Sequence, residues 1–110
     1  MRGTGVRTAI LTDIHGNLEA LRACLAEIDA VGADRIVCLG DVVGYGADPQ
    51  GCVETVARLV EDGALCLRGN HDAAVETGGA GMSEAASIAI GWTAGKLDHA
   101  ACAFLRARPL

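Results

Sequence analysis

Aromatic residues are scarce in this sequence, because its 110 residues include only one Trp, one Tyr and one Phe. Proteins that bind single-stranded nucleic acid usually stack the bases on several aromatic side chains, so this class is disfavoured. Basic residues are also few, since nine Lys and Arg are outnumbered by 14 Asp and Glu, for a net charge of −5. This balance argues against an extended basic surface for duplex nucleic acid.

Long apolar runs and paired cysteines are absent as well. A membrane span needs about 18 consecutive apolar residues, and the apolar run near the N-terminus covers only residues 9–11. The five cysteines are an odd number without a Cys-x-x-Cys pair, so neither a disulfide framework nor a zinc site is indicated. We therefore expect a cytoplasmic protein with reduced thiols and no membrane contact.

The composition is that of a folded protein. Hydrophobic residues make up 51% of the sequence and charged residues 21%, which excludes a disordered polyelectrolyte. The length fits one domain and leaves little room for a second. We therefore expect a single domain over residues 1–110.

Three short apolar segments have the composition of buried strands. They lie at residues 6–12, 35–39 and 64–67. Helical patterns separate them, so the order is β-α-β-α-β, which favours a parallel sheet with right-handed crossovers. We predict an α/β fold with a mainly parallel sheet and flanking helices.

Apolar periodicity and capping residues predict four helices. The predicted N-cap residues are Asn17, Asp48, Ser83 and Asp98. The predicted ends lie at or before Gly32, Gly63, Gly95 and Pro109. Residues 78–81, Gly-Gly-Ala-Gly, are predicted to form a flexible loop.

Polar side chains follow each predicted strand. They are Asp13, His15, Asp41, Asn70 and His71. Because the C-terminal ends of parallel strands meet at one edge of the sheet, we expect these side chains to converge in one crevice. Oxygen and imidazole donors from separate parts of a chain are typical of divalent metal sites that hydrolyse phosphate esters. Each Asp taken alone could simply cap a helix or close a turn, but that explanation does not account for the whole set.

Three motif blocks carry a family resemblance. They are Asp-Ile-His-Gly-Asn at residues 13–17, Gly-Asp-Val-Val-Gly-Tyr-Gly at 40–46 and Gly-Asn-His-Asp at 69–72. In order and spacing they resemble the first three motifs of the calcineurin-like metallophosphoesterases, most closely the small prokaryotic phosphodiesterase-like members. The resemblance covers essentially the whole chain. It implies a truncated domain that corresponds to the first half of the family's αββα sandwich.

The resemblance also implies a dinuclear metal centre. In that scheme Asp13 and His15 bind one ion and Asp41 bridges both, while Asn70 binds the second. The expected cofactors are two divalent cations, with Mn²⁺ foremost and with Fe, Zn²⁺, Co²⁺ or Ni²⁺ also compatible with such ligands. A metal-bound hydroxide would be the nucleophile.

Further residues are implied to contact the substrate, a phosphoester and foremost a phosphodiester, either a small molecule or a nucleotide. His71 would contact the phosphate and assist the leaving oxygen, and Asp72 would orient His71. Asn70 is also expected to bind substrate. For Tyr45 two interpretations stay open, since its side chain either lines the pocket or packs beneath its loop.

The sequence departs from the family in its histidines. The family's site uses three more histidines from later motifs, whereas the third histidine here, His99, is predicted to lie on a helix with a surface role. We therefore expect impaired catalysis by the isolated chain, and either self-association or a complementing C-terminal half. The alternative function is a non-catalytic remnant that binds a metal or a partner.

Overall fold

A computed structural model of the protein describes residues 5–110 as three strands and five helices. The strands are β1 (Thr8–Leu11), β2 (Arg35–Cys38) and β3 (Leu65–Cys66). The helices are α1 (Leu18–Val31), α2 (Pro49–Glu61), α3 (Asn70–Thr77), α4 (Glu84–Lys96) and α5 (His99–Arg106). The predicted α/β class and the predicted β-α-β-α-β order are confirmed. Each strand is one to three residues shorter than its predicted apolar segment.

The strands form one parallel sheet in the order β1-β2-β3. Leu11, Cys38 and Cys66 are partners across it, and all three are buried. They belong to the core together with Leu21 of α1 and Val56 of α2. Both crossover helices therefore pack on the same face of the sheet, as right-handed connections between consecutive neighbouring strands require.

The other face of the sheet is exposed. Its row of partners is Ile10, Val37 and Leu65, which we call the open sheet face. Ile10 is 64% exposed and Leu65 is 66% exposed, although both are large apolar residues. A sheet is normally covered on its apolar faces by a second layer of structure. This face is therefore suited to contact further polypeptide.

Side-chain caps begin four of the helices at the predicted positions. They are Asn17, Asp48, Ser83 and Asp98, each of which accepts a hydrogen bond from the backbone N–H three residues later. Gly32 ends α1 in the left-handed conformation, with φ of 81°. None of the helices in the described part of the chain has the length and hydropathy needed to span a bilayer.

Helix α3 was not predicted, because the motif at residues 69–72 has the composition of a turn. The structure instead places Asn70 and His71 in the first turn of this helix. Asp72 stabilises the helix start, since its Oδ2 accepts a hydrogen bond from Gly69 N at 2.9 Å. Gly78 ends the helix with φ of 86°. Two features of the sequence could have indicated this helix, namely the acidic Asp72 in its first turn and Gly78 after its last turn.

Candidate metal centre

The loops that follow β1 and β2 run side by side at the C-terminal edge of the sheet. His15 N donates a hydrogen bond to Asp41 O, and Gly16 N donates to Val42 O, both at 2.9 Å. These bonds extend the parallel pairing beyond the strands and bring the first two motif blocks together. The convergence that the strand order predicts is therefore present in the structure.

Three side chains from three different motif blocks form a cluster at this edge. They belong to His15, Asp41 and His71, and one possible ligand atom from each lies within 4.8 Å of the others. His15 and Asp41 are half-buried and His71 is buried. Imidazole nitrogens and a carboxylate oxygen at such separations form a donor set that fits a divalent transition metal.

The ring of His15 is oriented by the loop after β2. Its Nδ1 lies 3.0 Å from Val43 O, and because a carbonyl can only accept, Nδ1 donates this hydrogen bond. In the neutral ring Nε2 then carries the lone pair that can bind a cation, and Nε2 lies 3.3 Å from Asp13 Oδ1. Metal-binding histidines usually donate their other ring N–H to such a carbonyl. Sequence reasoning missed Val43, because no residue type marks a backbone acceptor.

Asp41 and Asn70 face each other across the site. With its NH₂ group turned toward Asp41, the Asn70 amide has its nitrogen 3.2 Å from both carboxylate oxygens and donates to each. Two oxygen atoms facing one another would repel unless a cation or a proton lay between them. The metal-free protein therefore favours the nitrogen toward Asp41, whereas a cation bound between the two side chains would favour the amide oxygen.

Asp72 has different partners from those expected. Its two oxygens accept hydrogen bonds from Asp41 N at 2.9 Å, Val43 N at 3.2 Å and Gly69 N at 2.9 Å. Within the described residues, Nδ1 of His71 is buried and has no hydrogen-bond partner. Asp72 therefore makes no hydrogen bond to this nitrogen, and its own hydrogen bonds join the second and third motif blocks.

Burial raises the pKa of the Asp72 carboxyl, because desolvation penalises its charged form. The hydrogen bonds from Gly69 N and Val43 N oppose this effect, and the nearby Asp41 carboxylate adds to it. Asp72 is only 2% exposed. Its position beneath the cluster therefore makes it a support for the loops rather than a group open to solvent.

Backbone strain is concentrated in the predicted site. Within residues 5–110, four residues other than glycine have positive φ, between 49° and 67°, namely Asp13, His15, Asp41 and Tyr45. The left-handed conformation costs such residues roughly 1–2 kcal/mol each. All four are predicted metal or substrate residues. Strain that the surrounding structure maintains at a cluster of polar side chains is typical of functional sites.

A glycine makes room between the second and third motif blocks. Gly40 has φ of 110°, and a Cβ at this position would lie 2.5 Å from Gly69 N. A side chain here would force the two loops apart and separate Asp41 from the start of α3. His99, by contrast, is exposed on α5 and does not join the cluster.

A sequence model of the calcineurin-like phosphoesterases matches residues 6–103, nearly the whole chain. The protein belongs to this family. The predicted family resemblance is therefore confirmed. Members of the family are metal-dependent phosphoester hydrolases, and this metallophosphoesterase chain carries candidate ligands for divalent metal in His15, Asp41 and His71.

Individual relatives agree with this assignment. A protein of Methanocaldococcus jannaschii, itself uncharacterized, is 42% identical over 105 residues, which cover 93% of this chain and 42% of that protein. The crystal structure of a metallophosphoesterase from Sphaerobacter thermophilus matches with a TM-score of 0.76 and 37% identity, over 96% of this chain and 42% of that one. A protein provisionally named a diadenosine tetraphosphatase matches with a TM-score of 0.65 and 28% identity, over 99% of this chain and 46% of that one. The chain thus spans less than half the length of these relatives.

Proposed function

We propose that this chain forms the N-terminal half of a dinuclear, metal-dependent hydrolase of phosphoesters, and foremost of phosphodiesters. The observation that carries the proposal is the convergence of His15, Asp41 and His71, whose possible ligand atoms lie within 4.8 Å of one another, with the Asn70 side chain against Asp41. Carboxylate and imidazole donors brought together from separate parts of a chain are typical of a divalent cation site. The substrate is a small molecule or a nucleotide, and the provisional name of one structural relative agrees with a nucleotide.

The proposed ligands divide between two cations. Asp13 and His15 would hold the first, since Asp13 Oδ1 and His15 Nε2 are 3.3 Å apart. Asp41 would serve both cations, and Asn70, whose amide adjoins Asp41, would offer its side-chain oxygen to the second. Mn²⁺ is the proposed ion, with Fe, Zn²⁺, Co²⁺ and Ni²⁺ as others that such ligands accept. When bound, the cations would offset phosphate charge and activate water.

His71 is proposed to act on the substrate and not on the metal. Its Nδ1 is buried, which leaves Nε2 as the nitrogen that can reach a phosphate oxygen. An imidazolium at that position stabilises negative charge that develops on the leaving oxygen. Asp72 supports this arrangement indirectly, by holding the backbone of Asp41 and Gly69. Asn70 and Tyr45 are proposed to line the same substrate site.

The open sheet face is the proposed contact for the missing half of the site. Its occupant is the polypeptide that the relatives carry beyond the part matched here, which is more than half of their length. Docking on this face would bury Ile10 and Leu65 and would bring additional ligands to the edge of the sheet.

The proposed location of the protein is the cytoplasm.

The test is Mn²⁺ binding by calorimetry on the purified 110-residue protein, followed by hydrolysis of bis(p-nitrophenyl) phosphate with and without co-expression of a complementing half. That half is the unmatched part of the Methanocaldococcus jannaschii relative. We expect Asp41→Asn to abolish Mn²⁺ binding and any hydrolysis, and the exposed Asp29→Asn to leave both unchanged. Retained activity in Asp41→Asn would refute the shared-ligand assignment.

A second function follows from the length of the match. Because the chain spans less than half of its relatives, it could serve as a non-catalytic remnant that binds a metal or a partner. Mn²⁺ binding without hydrolysis, even when the complementing half is present and bound, would support this alternative. Hydrolysis that requires both halves would exclude it.

A further inference from the structure

The segment Gly44-Tyr45-Gly46 contacts both histidines of the cluster. Gly46 N donates a hydrogen bond to His15 O at 2.7 Å. Gly44 lies against the other histidine, because a Cβ on Gly44, whose φ is 100°, would be 2.6 Å from His71 Nδ1. The segment therefore contacts the backbone of one histidine and the ring of the other.

The ring of Tyr45 contacts both imidazoles. Its centroid lies 5.4 Å from that of His15, edge-on at 71°, and 5.0 Å from that of His71, tilted at 51°. The two imidazoles are themselves 4.8 Å apart at 75°. These separations lie within the range in which aromatic rings attract one another. The three rings therefore form one mutually packed group.

Burial does not explain the conformation of Tyr45. The residue is 57% exposed, so its ring contributes little to the hydrophobic core. Its backbone nevertheless has φ of 67°, a left-handed conformation that a bulky side chain adopts only when its surroundings impose it. Both observations are accounted for if the conformation serves to place the ring against the two imidazoles.

His71 needs such a contact, because hydrogen bonding does not fix its ring. Its Nδ1 has no hydrogen-bond partner among residues 5–110, and the Asp72 carboxylate is occupied by backbone N–H groups. An imidazole without a hydrogen bond can rotate about its terminal torsion unless packing restrains it.

We propose that Tyr45 is a positioning residue, whose ring restrains the His71 imidazole against Gly44 and sets its angle to His15. The proposal rests on the proposed function, in which His71 contacts the phosphate. In this proposal an aromatic ring holds the His71 imidazole in place, whereas in the more common arrangement a carboxylate orients the ring. It also explains why a strained aromatic residue stands between two glycines at this site.

The test is NMR of the metal-free protein at one fixed pH, since the ring contacts are present without metal or substrate. Cross-relaxation between the His71 ring protons and the Gly44 Hα protons reports the restraint. Tyr45→Phe keeps the ring, and we expect it to keep these signals at full intensity. Tyr45→Asn removes the ring with a residue that tolerates left-handed φ, and we expect at least a twofold loss of intensity.

His99 is the internal control, because it is exposed on α5 and outside the cluster. Unchanged His99 signals together with lost His71–Gly44 signals in Tyr45→Asn support the proposal. Full-intensity His71–Gly44 signals in Tyr45→Asn would overturn it. If Tyr45→Asn does not fold, Tyr45→Gly gives the same comparison, since glycine adopts positive φ without strain.

The effect on catalysis is measured separately, as kcat and KM for bis(p-nitrophenyl) phosphate. The measurement uses the form of the protein that hydrolyses this substrate, either the chain alone or the chain with its complementing half. Misplacing a group by about 1 Å costs up to about 100-fold in rate, so Tyr45→Asn should lower kcat by about tenfold or more and change KM less. If the His71–Gly44 signals depend on Tyr45 as expected but no form of the protein hydrolyses phosphoesters, the proposed function is refuted while the positioning role of Tyr45 stands. A normal kcat in Tyr45→Asn would contradict the positioning role itself.

Discussion

The side-chain amide of Asn70 lies against the carboxylate of Asp41. In the metal-free protein the NH₂ group of Asn70 faces Asp41, because its nitrogen then donates to both carboxylate oxygens at 3.2 Å. A cation between the two side chains reverses that preference, since it attracts both oxygens. The Asn70 side chain is therefore expected to rotate when metal binds.

This rotation is testable by NMR of the side-chain NH₂ groups as diamagnetic Zn²⁺ is added. The Asn70 NH₂ signals should move, because the group leaves Asp41 when the amide turns. Asn17 is the control, since its oxygen caps α1 through Ala20 N at 3.0 Å and its amide does not face Asp41. Equal shifts for both asparagines, or no shift for Asn70, would contradict the expected rotation.

The buried carboxylate of Asp72 should be important for stability. Asp72→Asn replaces one acceptor oxygen by an NH₂ group, which would face a backbone N–H of Asp41, Val43 or Gly69. Leaving buried donors unpaired should cost about 3 kcal/mol in the free energy of unfolding. Urea unfolding measures this loss.

The matched control for Asp72→Asn is Asp29→Asn, the same chemical change at an exposed position on α1. Its effect should be within about 0.5 kcal/mol. If the two variants unfold at the same urea concentration, the hydrogen bonds of Asp72 do not support the loops.

The alternation of strands and helices along the chain, and hence a parallel sheet, was predictable from the sequence because the apolar segments are short and are separated by capped helices. The convergence of His15, Asp41 and His71 followed from it, since parallel strands end at one edge of the sheet. Helix α3 was missed because residues 70–77 have no clear apolar stripe. The partners of Asp72 were missed because they are backbone N–H groups of two loops, which only the packed structure brings together.

The three histidines should differ in their effect on metal binding. His15→Ala should weaken Mn²⁺ binding by at least tenfold, because it removes an imidazole whose Nε2 is left free by the Nδ1 bond to Val43 O. His71→Ala should change Mn²⁺ affinity less than threefold and lower turnover strongly. Calorimetry decides between these roles, and the exposed His99→Ala is the control. A large loss of Mn²⁺ affinity in His71→Ala would show that His71 is a ligand.

The open sheet face should govern association of the isolated chain. Leu65→Lys places a charge in the row of Ile10, Val37 and Leu65, so it should weaken association through this face. Ile88→Lys is the matched control, because Ile88 on α4 is 67% exposed and Leu65 is 66% exposed. Sedimentation analysis should show a smaller species for Leu65→Lys alone. The same shift in both variants would indicate nonspecific hydrophobic association.

The cysteines should differ in reactivity according to their burial. Cys24 is exposed and Cys102 is half-buried, whereas Cys38, Cys52 and Cys66 are buried. Burial, together with the nearby Asp48 carboxylate, raises the pKa of the Cys52 thiol to about 11. Since the thiolate is the reactive form, Cys52 has a very small reactive fraction at pH 8. Iodoacetamide should therefore alkylate Cys24 first in the folded protein.

Mass spectrometry of digested samples can follow this order of alkylation. In Cys24→Ser the first phase of alkylation should disappear and the slow phases should be unchanged, because Cys24 lies outside the core. In urea all five thiols should react at similar rates, since unfolding removes the burial that separates them. Early alkylation of Cys38 or Cys66 in the folded protein would show instead that the sheet opens at β2 and β3. The packing of α2 on the sheet would then not protect these thiols.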